Sequence, residues 1–153
     1  MRPENEASPQ AFTALKKFYD SKSFCDFTFI CADKKEVKAH CVVLAHYSTV
    51  LSAMLEIPMK EALTHTANVE DIDGDTMQEV IDSLYAVDIE NFDEKAEKLI
   101  HVAMKYDIGI LKNKCIDSIA RNLTAENVFE YLLLGDFYNE DFLIMHCANF
   151  IKK

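Results

Sequence analysis

Five cysteines and five histidines are the residues of this sequence best equipped for chemistry. Cys31, His40, Cys41 and His46 lie close together, and His146-Cys147 forms a second pair. A structural zinc site needs four ligands at short characteristic spacings. Successive strand residues point to opposite faces, so an extended His40-Cys41 pair does not converge. No CxxC, HExxH or HxE…CxxC pattern occurs. These residues are therefore expected in the packed interior, with no metal. Cys41 paired with a distant histidine is a conceivable nucleophile, but nothing in the sequence selects it. Phosphate-cradling GxGxxG and GxxxxGK loops and the GxSxG elbow are absent, and 3 glycines leave no room for a degenerate version. Asp71-Ile72-Asp73-Gly74-Asp75 imitates the start of a calcium loop, but the glycine comes too early and the closing glutamate is missing. The expectation is a protein that is not an enzyme and carries no cofactor.

Charge and composition narrow the classes further. The chain has 153 residues, a length that predicts one domain, and a mean hydropathy of −0.06. Its net charge of −10 is unevenly placed. Residues 1–65 carry 8 basic and 8 acidic side chains, and residues 66–153 carry 8 basic and 18 acidic. There is no basic stripe to displace counterions from phosphates, so nucleic acid and anionic membranes are not expected partners. A basic protein partner is compatible. No run approaches the 18 apolar residues of a membrane helix, and Met1–Gln10 contains no apolar signal core. Free thiols at wide spacing suit a reducing compartment, so the protein is expected inside the cell, in nucleus or cytoplasm.

The elements that must position these residues are legible in part. Residues 1–8 are expected to be disordered. Ser8-Pro9 reads as the cap and first turn of a helix with an apolar stripe of Ala11, Leu15 and Phe18, flanked by Phe12 and Tyr19. That stripe needs cover from its own domain or from another chain. Cys25–Ala32 and Glu36–His40 read as a hairpin. Residues 41–56 read as two short helices split by Ser48 as a cap, stopped before Pro58. A loop is expected to about Thr66 and a short strand at 68–72. Helices follow at about 75–86, 93–106, 108–122, 125–136 and 140–152, with Asp93, Thr124 and Asn139 as caps. A small sheet followed by helices is an α+β arrangement.

The order of residues resembles a BTB/POZ domain. Phe24-Cys25-Asp26-Phe27-Thr28-Phe29 is similar to the family's F-x-D-V-x-F. Ala39-His40-Cys41-Val42-Val43-Leu44-Ala45, with Tyr47-Ser48-Thr49-Val50-Leu51, is similar to its A-H-K-x-V-L-A-A-x-S-x-x-F. Leu84-Tyr85, Ala103, Tyr106 and Cys115 also match, and the resemblance covers about residues 10–122. From Leu123-Thr124-Ala125-Glu126-Asn127-Val128 onward the chain resembles the two-helix extension of speckle-type (MATH-BTB) proteins. The resemblance implies a three-stranded sheet flanked by helices, a BTB/POZ domain over 9–122 with an N-terminal dimerisation helix, and an extension over 123–153. It further implies a homodimer that adapts substrates to the N-terminal region of cullin-3 in a ubiquitin ligase, with the substrates held by a domain absent from this chain. Ala11, Phe12, Leu15, Phe18, Asp26 and Val43 fall at family dimer-interface positions. Met59-Lys60-Glu61 matches the hydrophobic-x-Glu motif, making Met59 and Glu61 the cullin contacts, and the last two helices would widen that docking face. The alternative is a BTB module used only for self-association.

Three departures from the family pattern carry consequences. Cys41 stands where many relatives have a basic residue, which leaves Asp26 without its family partner and weakens a corepressor-groove role. Tyr85-Ala86-Val87-Asp88 replaces the usual Tyr-Thr-Gly turn, and Leu51 replaces a Phe. His40 is expected to hold hydrogen bonds within the structure and to take no part in acid–base chemistry.

Overall fold

The computed structural model describes residues 9–58 and 60–153, with side chains from residue 13 onward. The chain forms two compact units that meet in sequence at Ile89 and Glu90. The first opens with helix α1 (Pro9–Asp20), followed by strands β1 (Phe27–Ile30) and β2 (Glu36–Ala39). These pair antiparallel, with Phe27 opposite Ala39 and Ile30 opposite Glu36. Alternation explains the pairing: Phe27, Phe29, Val37 and Ala39 are buried on one face, while Glu36 and Lys38 are exposed. Two helices follow, α2 (Cys41–Tyr47) and α3 (Thr49–Glu56). Ser48 divides them as expected, its hydroxyl accepting from Leu51 N–H at 3.0 Å. Leu51 is buried, so it fills its core position despite its smaller side chain.

The stretch expected as a loop holds a five-residue helix, α4 (Lys60–Thr64). Strand β3 (Thr66–Asn68) begins two residues earlier than expected and lies parallel to β1, giving the order β2-β1-β3. Pairing overrides composition here. Thr66-Ala67-Asn68 lacks a run of β-branched residues, yet Thr28 N–H reaches His65 O at 3.0 Å and Val69 N–H reaches Ile30 O at 2.8 Å. Helix α5 (Gly74–Leu84) starts at Asp73, whose carboxylate accepts from Thr76 N–H at 2.8 Å. Its buried Met77, Val80, Ile81 and Leu84 repeat at helical spacing. Gly74 is required by close approach, because a Cβ there would stand 2.6 Å from Lys35 Cβ.

The anchor of α1 differs from the expected stripe. Among the described side chains of α1, Tyr19 is the buried one, Leu15 is half-buried and Phe18 is exposed. The Tyr19 ring stacks on Tyr85 with centroids 3.7 Å apart, and its hydroxyl donates to Asp82 and accepts from Gln78 at 2.7 Å. A phenol that must reach a carboxylate is directional, so Tyr19 is held more firmly than Leu15 and Phe18.

The second unit consists of α6 (Phe92–Lys105), α7 (Gly109–Arg121), α8 (Val128–Tyr138) and α9 (Asp141–Ile151). Helix α6 packs on α7, α8 on α9, and α7 on α9. Three caps differ from expectation. Asn91 caps α6, while Asp93 lies in its first turn and accepts from Ser118 of α7 and, at 3.3 Å, from Arg121. Those contacts hold its carboxyl below the usual range, the Ser118 hydrogen bond first. Thr124 and Asn127 exchange hydrogen bonds at 2.8 and 3.2 Å in a turn that precedes α8. Asn139 closes α8 and does not open α9. Lys112 bridges Asp107 at 2.8 Å and Glu140 at 2.6 Å, tying α7 to the start of α9. Among the described residues no helix is long and apolar enough to cross a membrane.

Helices α1, α5, α6 and α8 end alike. A residue one or two positions past each end takes a left-handed φ, and the next N–H reaches back five residues: Ser23 to Phe18 O, Val87 to Asp82 O, Ile108 to Ala103 O and Glu140 to Gly135 O. The left-handed position, normally glycine, is filled by Lys22, Ala86, Asp107 and Asn139. Ala86 is the least suited, since its φ of 58° crowds Cβ against the backbone without a polar side chain to compensate. Replacing Ala86 by Gly is expected to raise unfolding free energy by up to about 1 kcal/mol in urea titrations, with an unchanged slope.

Candidate functional site

Chemically active side chains gather at one end of the sheet, where β1 and β3 begin and β2 ends. Antiparallel β2 and parallel β3 on either side of β1 bring Asp26, Cys41 and His65 to that end. Asp26 finds a partner in place of the basic residue it lacks: its carboxylate accepts from Cys41 N–H at 2.6 Å. It thereby caps α2, because His40, the capping residue by position, makes no side-chain cap. Cys41 Sγ lies 3.6 Å from Asp26 O and 4.0 Å from His65 Nδ1, which itself donates to Asp26 O at 2.8 Å.

Cys41 thus has a histidine beside it, one that spacing could not select. The thiol is not primed for attack. Burial first, then the Asp26 charge, push its pKa up to about 12, the reverse of what an activated nucleophile needs. His40 does what was expected of it. It is buried, its Nε2–H donates to Ser23 O at 2.9 Å, and its Nδ1 accepts from Tyr85 O–H at 2.6 Å. Its backbone N–H donates to the same hydroxyl at 3.1 Å. The other cysteines and histidines weighed from sequence are dispersed. Cys31 follows the far end of β1, His46 is exposed on α2, and Cys147 is buried in α9 beside a half-buried His146.

The docking residues expected from sequence divide three ways. Met59 and the side chains of Ala11 and Phe12 lie outside the described residues. Val43 is buried, and its neighbour Val42 is exposed. Leu15 is half-buried, Asp26 is exposed, and Phe18 (42% exposed) meets Phe24 (79%) edge-on at 5.2 Å. Glu61 occupies the first turn of α4, half-buried, near exposed Ile57 and Leu63. In the second unit, Phe129, Leu133 and Phe137 stand 61%, 71% and 76% exposed at four-residue intervals along α8. Sequence reasoning did not single these out. A helix apolar on all sides carries no periodic signal to separate the packed face from the open one.

Large exposed apolar side chains in rows are the mark of a protein-interaction surface. Together with the α+β fold they define a protein-interaction module. The chain belongs to the BTB/POZ domain family, whose family model matches residues 15–123.

The Tyr85 hydroxyl serves two buried groups of His40, so Tyr85→Phe should cost about 1–3 kcal/mol at neutral pH. Burial raises the Tyr85 phenol to about 12 from 10.0. A group held protonated by the fold stabilises it fully below its unfolded pKa, and that contribution disappears as pH rises from about 10 to about 12. Urea titrations across this window should show wild-type stability falling, and Tyr85→Phe should fall less steeply.

Proposed function

We propose that this chain is the BTB region of a homodimeric, non-catalytic adaptor that binds the N-terminal region of cullin-3 in a ubiquitin ligase complex. Substrates would be held by a different domain, as in MATH-BTB proteins. Residues 9–122 form the BTB domain and 123–153 its extension. The observation that carries this is Glu61. It follows Met59 in the family's hydrophobic-x-Glu motif and sits in the first turn of a helix, with exposed Ile57 and Leu63 within four positions of it in sequence. Such a carboxylate can fix register against a donor while a flexible Met fills an apolar pocket. The α8 row of Phe129, Leu133 and Phe137 supplies further apolar surface for a partner. Self-association uses Ala11, Phe12, Leu15, Phe18 and Asp26, with Val43 supporting that face from inside its own subunit. The site of action is intracellular, nucleus or cytoplasm.

Self-association without cullin is the second reading, favoured by the exposed Phe18–Phe24 pair. Calorimetric titration with the cullin-3 N-terminal domain separates the two. One cullin per subunit is expected, with Met59→Ala and Glu61→Ala each losing about 1–2 kcal/mol or more. A folded dimer that gives no binding heat leaves self-association alone. Sedimentation should also show Phe18→Asp shifting the dimer toward monomer at concentrations where wild type stays paired. A dimer unaffected by that change would remove Phe18 from the interface.

A further inference from the structure

We propose that Asp26, Cys41 and His65 form a Zn(II) site at the end of the sheet. A carboxylate oxygen, the Cys41 sulfur and a ring nitrogen of His65 all lie within 4.8 Å of one another. They come from residues 26, 41 and 65, so no local motif places them together. The sheet does: each residue adjoins a different strand at the same end, with Asp26 preceding β1, Cys41 following β2 by two positions and His65 preceding β3.

The donor set selects the ion. Thiolate and imidazole disfavour magnesium and calcium, which take oxygen ligands, and one sulfur, one nitrogen and one oxygen suit zinc. Bond lengths of about 2.3 Å to sulfur and about 2.0–2.2 Å to nitrogen and oxygen require ligand separations of roughly 3.3–3.6 Å. The Cys41–His65 distance of 4.0 Å is already near that range, and the remaining closure is a matter of side-chain rotation. A carboxylate has two oxygens, so the one that caps α2 leaves another for the ion. Three protein ligands leave one tetrahedral position for water. Binding releases the Cys41 thiol proton to solvent; His65 Nδ1 gives up its hydrogen bond to Asp26 O to ligate, and the single imidazole proton moves to Nε2.

The test uses the whole chain, stripped of metal and titrated with Zn(II) against a chromophoric chelator, then with Co(II) followed by absorption. One equivalent is expected, with a thiolate-to-cobalt charge-transfer band and a higher melting temperature in zinc. Cys41→Ser should abolish the band. His65→Gln and Asp26→Asn should each weaken binding at least about tenfold. His146→Gln, in the other cysteine–histidine pair, should leave binding unchanged. Cooperative thermal unfolding shows whether each variant folds, and His65→Gln, altering an exposed side chain, decides the matter if Cys41→Ser does not. Absence of stoichiometric binding overturns the proposal, as does a band that survives both changes. These outcomes are independent of cullin binding.

Discussion

Tyr85 closes the first unit from three directions at once. Its ring lies flat against Tyr19, which brings α1 onto α5. Its hydroxyl accepts the His40 N–H and donates to the His40 ring, which fixes the path from β2 into α2. Its backbone N–H ends α5 on Asp82 and Ser83. A hydroxyl has one proton and two lone pairs, and here the proton and a lone pair are both committed. The imidazole is committed on both nitrogens too, so the buried polar groups of this region satisfy one another. Such networks favour one arrangement because any other leaves a buried group unpaired.

Around that cross-link the sheet is small, and its topology matters more than its size. With one antiparallel and one parallel neighbour, the central strand draws three chain segments to the same end. The route from β2 into α2 is so short that Cys41 is both the first helical residue and a neighbour of the strand-leading Asp26. A basic residue there would have given Asp26 a side-chain partner. A cysteine leaves the carboxylate to the backbone and puts sulfur where a charge would otherwise stand.

The sequence made legible whatever depends on nearby residues. The alternation of Phe27 and Phe29 with Val37 and Ala39 announced the hairpin, Ser48 its helix break, and the A-H-x-x-L-A-x-x-S stretch the BTB fold. Long-range contacts were harder to see. Strand β3 exists because β1 offers it partners, so its composition misled by two residues. Asp93 and Asn139 are good capping residues, but tertiary partners and a helix end claimed them first. The approach of His65 to Cys41 across 24 positions has no local signature. The open face of α8 was hidden because its packed and exposed sides are equally apolar.

The shared ending of α1, α5, α6 and α8 bears on how this fold can change over generations. At Lys22, Ala86, Asp107 and Asn139 the bend itself is held by hydrogen bonds between backbone atoms. Glycine, asparagine and aspartate all accept that conformation at small cost. Drift among them can therefore proceed while each bend stays in place. In descendants of this chain these four positions would vary in identity yet stay constant in shape, and an alignment that scores residue types would rank such corners as dispensable.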